Sequence, residues 1–240
     1  MAESYLTLVN KVLTHLNEVE LTSTTFSSAR GVQTQAKNAV NEAIRYINQR
    51  EFNYPFNHAT QTETLVAGSV RYSLPASTKT VDYNTFRIVK DEDLAVSGGK
   101  LGKLDYNEYV NSYITQEDEI VTTTLNGSHS DSVTTLTLTS TTGFDSAGTA
   151  HIGNEVVSYT GILGNDLTGV TRGAESTTAA AHASGVQVAQ FDSGGVPLYV
   201  SRTLDNNYLL YPFPDKQYSL KFDYFTFPSD LSAHSDTTTI

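Results

Sequence analysis

Cysteine and tryptophan are absent from this 240-residue sequence, and methionine occurs once. Without cysteine there can be no disulfide staple, no thiolate metal site and no cysteine nucleophile. Basic residues are scarce as well: 15 Lys and Arg stand against 26 Asp and Glu, a formal net charge of −11 and a sequence pI near 4.8. Such a chain has no broad cationic face for neutralising phosphates, which argues against nucleic-acid binding by charge alone. It can still border a DNA passage, because repulsion lets the polymer slide past instead of sticking. Long apolar runs are missing too. No window approaches the ~20 residues of a membrane span. The opening MAESYLTLVNKVLTHLNEVE is interrupted by Glu3, Lys11, His15, Glu18 and Glu20, so it cannot be the apolar core of a signal peptide. These absences lead us to expect a soluble protein made in the cytoplasm, with room for one large or two modest domains.

Tyrosine, by contrast, is abundant at 14 residues, and Thr and Ser dominate whole stretches. Tyr offers contact area with a polar tip, which suits interfaces, but a Tyr- and Thr-rich β-protein accounts for the same composition. Residues 3–18 place Tyr5, Val9, Val12 and Leu16 on one stripe, with Leu6 and Leu13 beside it, which predicts a helix. A second amphipathic helix is predicted from about 29 to 50 through Val32, Ala36, Val40, Ala43, Ile44 and Ile47. Pro55 bars helical geometry at the residue before it. TETLVAGSVRYSLP then alternates about a Gly-Ser turn and predicts a hairpin, and TFRIVKDEDLAV a further strand. Asp105, with Glu108 three residues on, gives a capping-box-like start to a short helix bearing Tyr106, Tyr109, Val110 and Tyr113.

From about 121 to 190 charge nearly vanishes. VTTLTLTS, GTAHIG, EVVSYTGI and DLTGVTRG follow one another as short strands bounded by Gly, Asn or Asp, with VQVAQF as a closing strand. That spacing predicts a small barrel or sandwich. Aromatic strands resume in VPLYVSRTLDNNYLLYPFPDKQYSLKFDYFTFP, with turns at Asp205-Asn206-Asn207 and Pro214-Asp215-Lys216. The expected fold class is α+β: an N-terminal helical pair, an antiparallel β-sandwich host domain, and an inserted, barrel-like all-β module. The host would be residues 1–120 and 191–240, and the module 121–190, since insertions are tolerated where both ends meet at a surface loop. SDLSAHSDTTTI closes the sequence as a polar loop. Two helices without a third suggest that further helical segments follow, or that neighbouring subunits supply the missing surface.

Little points to catalysis. His129, His151 and His182, with Asp131 and Glu155, show no established ligand spacing, so no metal or cofactor is expected. There is no G-x-S-x-G elbow. The carboxylates of QEDE (116–119) and DED (91–93) are contiguous runs that suit solvated turns better than the flanks of a sugar cleft. SGGKLGK is a turn and no phosphate loop, and YPFPD is explained by turn chemistry. A binding or structural protein is expected, and no enzyme.

Two stretches carry a resemblance. INQREFNYPFNHATQTETLVAGSVRYSLP, with Phe52-Asn53-Tyr54-Pro55-Phe56-Asn57, and the segment Leu210 to Phe227, LYPFPDKQYSLKFDYFTF, resemble the tail tubular protein A, or head-to-tail adaptor, family of short-tailed bacteriophages. The segment TGFDSAGTAHIGNEVVSYTGILGNDLTGVTRGAESTTAAAHASGVQV is similar to a β-module recurrent in phage virion and tail proteins. The resemblance implies a homo-oligomeric ring, dodecameric by family, between portal protein and tail nozzle protein in the virion. It also implies tail fibres as further partners and DNA passing through without specific binding. Candidate interface residues are Tyr106, Tyr109 and Tyr113 on the short helix and Phe144 and Tyr159 in the module, although the last two could equally fill the module's own core. The rival class is a host-receptor or carbohydrate-binding tail component, which would need exposed coplanar aromatics.

Overall fold

The computed structural model describes residues 3–50, 53–91 and 97–238. Among the described residues three α-helices form: α1 (Tyr5–His15), α2 (Val32–Gln49) and α3 (Tyr106–Ser112). Ser4 caps α1 by accepting from the Thr7 amide at 3.2 Å, and Asp105 caps α3 by accepting from the Asn107 amide at 2.9 Å. The strands preceding and flanking α3 are β1 (His58–Leu65), β2 (Arg71–Ser73), β3 (Thr78–Ile88), β4 (Gly99–Lys100), β5 (Gly102–Lys103) and β6 (Val121–Thr124). Then follow β7 (Thr135–Thr137), β8 (Gly148–Ile152), β9 (Glu155–Tyr159), β10 (Gly161–Leu163), β11 (Asp166–Thr168) and β12 (Thr171–Ala174). The last are β13 (Gln187–Gln190), β14 (Tyr199–Arg202), β15 (Asn207–Tyr211) and β16 (Tyr218–Thr226). They build four open sheets, ordered β1-β16-β3-β4, β2-β15-β14-β5, β12-β9-β8-β13-β6 and β10-β11-β7. The fold is α+β, as expected from the sequence.

The chain divides into two compact units. The first comprises residues 1–60, 75–81 and 223–240. Tyr5, Val9 and Leu13 of α1 and Ala36, Val40 and Ile44 of α2 form its core, joined by Leu21 and Phe26 from the connection. The stripe predicted on α1 holds for Tyr5 and Val9, whereas Leu16 caps the helix and is exposed. The segment at 228–238 is no free loop. Asn41 donates to the Leu231 carbonyl and accepts from the Leu231 amide, both at 3.0 Å, and the amides of Tyr5 and Leu6 donate to the carbonyls of Asp236 and His234. Of the aromatic motif beginning at Phe52, that first residue lies outside the described residues; Tyr54 and Phe56 stack at 5.0 Å.

The second unit comprises residues 61–74 and 82–222. Its aromatic centre is Phe86, Tyr208 and Phe222, with Phe86 and Phe222 stacked at 4.4 Å and the Tyr208 ring edge-on to both. The hairpin predicted about Gly68-Ser69 does not form. β1 and β2 belong to different sheets, because residues 66–70 turn the chain inward: Gly68 donates to the Pro214 carbonyl at 2.9 Å, and Ala67 and Val70 are buried against Leu209 and Phe213. The strand predicted at 85–96 starts earlier, at Thr78; Glu92 and Asp93 of the DED run lie outside the described residues.

All strands of the sheets β12-β9-β8-β13-β6 and β10-β11-β7 come from residues 121–190, and they enclose a core of Leu125, Leu136, Leu138, Ile152, Val157 and Leu167 with others. Of the barrel or sandwich expected, no closed barrel forms: two sheets share the core, bridged where Leu125 faces Leu138. The chain steps from one to the other at Thr160, between β9 and β10, and steps back at Gly169, between β11 and β12. Gly169 has φ +61°, and a Cβ there would stand 2.1 Å from the Thr160 hydroxyl, so any other residue would strain the backbone and force Thr160 aside.

Candidate protein interface

The phrases that make residues 121–190 distinctive converge on one buried carboxylate. Glu155 is 1 % exposed, and it accepts from both Nε and Nη2 of Arg172 at 2.7 Å, from the Gly173 amide at 3.0 Å and from the Ala180 amide at 3.1 Å. His182 Nε2 lies 2.8 Å away, and because an ionised carboxylate only accepts, this nitrogen carries the proton. Burial alone would raise the Glu155 pKa. The hydrogen bonds from Arg172, Ala180, His182 and Gly173 outweigh it and hold the group at about 2. Arg172 Nη2 also donates to the Ala180 carbonyl at 2.6 Å. The cluster therefore closes the loop after β12 onto β9. His151 does something else: it stacks on Phe191 at 4.1 Å, and burial lowers its pKa.

Two of the five predicted interface residues serve the interior. Tyr109 is fully buried; its hydroxyl donates to Glu117 at 2.8 Å and accepts from the Gln116 amide nitrogen at 2.9 Å, while Arg71 binds the same Glu117. Burial followed by the charge of Glu117 drives its pKa upward. Tyr159 is buried in the 121–190 core and donates to the Asp145 carbonyl at 2.8 Å. Phe144 is half-buried against that core. Tyr106 and Tyr113 are half-buried at the edge of the cluster around Tyr109.

Tyr113 belongs to a surface that the sequence did not single out. Its ring lies 4.2 Å from that of Tyr211, which in turn lies 6.5 Å from that of Tyr199, giving a ladder of three tyrosines. The ladder is held because β14 and β15 pair with Tyr199 opposite Tyr211. Leu198 is 58 % exposed, Val196 43 % and Tyr199 42 %, with Ile114 exposed on the adjoining 3₁₀ turn. Beside the ladder runs a groove of about 320 Å³ lined by Tyr113, Gln116, Glu119, Ser193, Tyr211 and Phe213. Its margin is acidic: Glu119 accepts from the Ser193 hydroxyl at 3.2 Å, and Asp118 and Asp192 are exposed nearby in sequence. Aromatic and aliphatic side chains grouped inside a polar rim have the composition of a protein-binding surface. A signal was available in VPLY, where Leu198 and Tyr199 are adjacent, so a strand that alternates cannot turn both to one core; in the structure both are exposed.

A family model described as SU10 adaptor protein matches residues 4–240. No curated protein matches the chain.

Proposed function

The chain belongs to the SU10 adaptor family, and from that premise we propose that it forms a ring joining the portal to the tail nozzle of a short-tailed phage. Family membership makes it a structural adaptor protein of a phage virion, a component that touches other virion proteins and whose family is not one of enzymes. The finer reading adds a homo-oligomeric ring, dodecameric by resemblance, through which DNA passes unbound and on which tail fibres dock. The net charge of −11 suits such a conduit, since a lumen of like sign does not retain the polymer.

The observation that carries the reading is the tyrosine ladder with its exposed Val196, Leu198 and Tyr199, because an apolar surface of this kind on an adaptor marks a binding face. We further propose that residues 121–190 are an inserted module on the fibre-facing side of the ring. An inward insertion would narrow a channel that must pass duplex DNA, whereas an outward one meets only solvent or fibre. Tyr106, Tyr113 and Phe144 remain within reach of partners at their half-exposed edges, while Tyr109 and Tyr159 act through the cores that support them. The receptor-binding alternative draws no support from Phe144 and Tyr159, which face the interior of residues 121–190.

A reconstruction of purified virions tests this. Density for the chain as a ring between portal and nozzle is expected. Its absence from that junction, or residues 121–190 lining the channel, would refute the reading.

A further inference from the structure

The turn between β14 and β15 holds a feature that neither core requires. Leu204 is 91 % exposed, more than any other large apolar side chain among the described residues. Its position is fixed. Thr203, itself buried, donates from its hydroxyl to Asp205 Oδ1 and accepts from the Asn207 amide at 3.1 Å; the Asn207 side chain donates to Asp205 Oδ2 at 3.0 Å, and the Thr203 amide donates to the Asn207 carbonyl at 3.1 Å. Asn206 adopts the left-handed conformation at φ 60°, which closes the turn. These bonds order the backbone that carries Leu204, so docking need not order the turn itself. Arg202, two positions before Leu204, is exposed and has no ion-pair partner among the described residues.

The tyrosine ladder stands at the other end of the same hairpin, where Tyr199 pairs with Tyr211. The four residues of β14 separate the two ends by roughly 13 Å. One protomer thus presents a leucine beside a cation at one end of β14 and β15. At the other end it presents a groove lined by Tyr113, Tyr211 and Phe213 together with the carboxylate of Glu119. The charges are opposite in sign, and the two features lie at opposite ends of the hairpin, so they cannot meet within one copy.

We propose that Leu204 and Arg202 of one copy dock in the Tyr113–Tyr211 groove of a second copy, with Arg202 facing the acidic margin. The contact is heterologous: each copy gives a knob at one end and receives one at the other, the type of contact that closes into a ring when its rotation permits. It rests on the ring reading above and names the surfaces that would carry it.

The absence of cysteine provides the test. A chain with Leu204→Cys and Ser193→Cys carries one thiol on the knob and one at the groove. In oxidised virions this chain is expected to run as a ladder of dimers and higher species on a non-reducing gel, whereas neither single variant extends beyond a dimer. Leu204→Asp alters only an exposed side chain, so it should melt like wild type while its incorporation into virions falls by about tenfold or more. A double variant that is incorporated but never cross-links to itself overturns the contact and leaves the ring standing. Cross-links to a different virion protein also overturn it and assign that protein to the groove. One or a few copies of the chain per virion would overturn the ring reading, and this contact with it. Unchanged incorporation of Leu204→Asp counts against the proposal in either case.

Discussion

Residues 121–190 and the helical unit bury polar groups in opposite ways. In 121–190 the partners of Glu155 come from Arg172 to His182, all within 27 positions of it, and they form a charged cluster closed to solvent. In the helical unit the buried polar ties are neutral, and one of them spans the chain: Asn48 donates to the Ile44 carbonyl four positions away, whereas Asn41 and Leu231 are 190 positions apart. A local ionic cluster gives its segment the means to order itself. A distant amide pair can form only after both ends of the chain have come together. The first arrangement leaves a phrase in the sequence, I-G-x-E with T-R-G and A-A-A-H, and the second leaves none.

The sharpest way to break this comparison is Arg172→Ala. It would leave Glu155 buried without its counter-charge, and a loss of about 3–5 kcal/mol is expected by chemical denaturation. A variant as stable as wild type would mean that the cluster does not hold its segment together. Val40→Asp applies the same stress to the helical unit by burying an unpaired charge in the α1/α2 core, with an expected cost of about 3 kcal/mol or more. Unchanged melting and assembly would place the helix pair wrongly. Asn41→Ala should cost less, about 1–3 kcal/mol, by stranding the Leu231 backbone groups. Amide exchange would then be expected to quicken at residues 229–236 and to stay unchanged in 121–190.

Acid separates the regions without mutation. The folded-state pKa of Glu155 lies below its ordinary value of 4.5, at about 2. Its contribution is therefore present above about 4.5 and is lost as pH falls from there toward about 2. Exchange protection around β9 and β12 should decline through that window in wild type, and that decline should be absent in Arg172→Ala, which no longer has the strongest of the interactions depressing the group. The gentlest intervention removes 121–190 altogether. A chain joining Glu119 to Phe191 through a short Gly-Ser bridge is expected to remain soluble, with the helical signal in its far-UV spectrum retained. Aggregation with a collapsed spectrum would show that these residues are no insertion. The buried contacts of Ala189 and Phe191 with Ala67 and Phe213 make the choice of splice point matter.

Much of the fold was legible because periodicity is a local property. Val40 and Ile44 face one core because they lie one helical turn apart, and the alternation of β16 is visible in Tyr218, Leu220 and Phe222. The candidate surface was less legible. Tyr109 and Tyr113 sit four residues apart on and beside the same short helix, yet one is sealed inside and the other stacks on Tyr211 at the surface. Nothing in their own neighbourhood separates them; what does is the arrival of β15 beside Tyr113 and of Gln116 and Glu117 over Tyr109. Glu155 shows the converse, since its phrase is distinctive in the sequence and its role is structural.

By itself the sequence determined the α+β class, the two amphipathic helices, the cap at Asp105 and the absence of thiol chemistry. Each of these depends on side-chain spacing within a turn or strand, or on composition alone. Only the tertiary structure decided that β1 and β2 enter different sheets, that the chain of 121–190 passes between its two sheets at Thr160 and Gly169, and which tyrosines reach the surface. Those outcomes depend on which strands become neighbours. That choice is made by packing free energy summed over residues far apart in the chain, so no local window contains it.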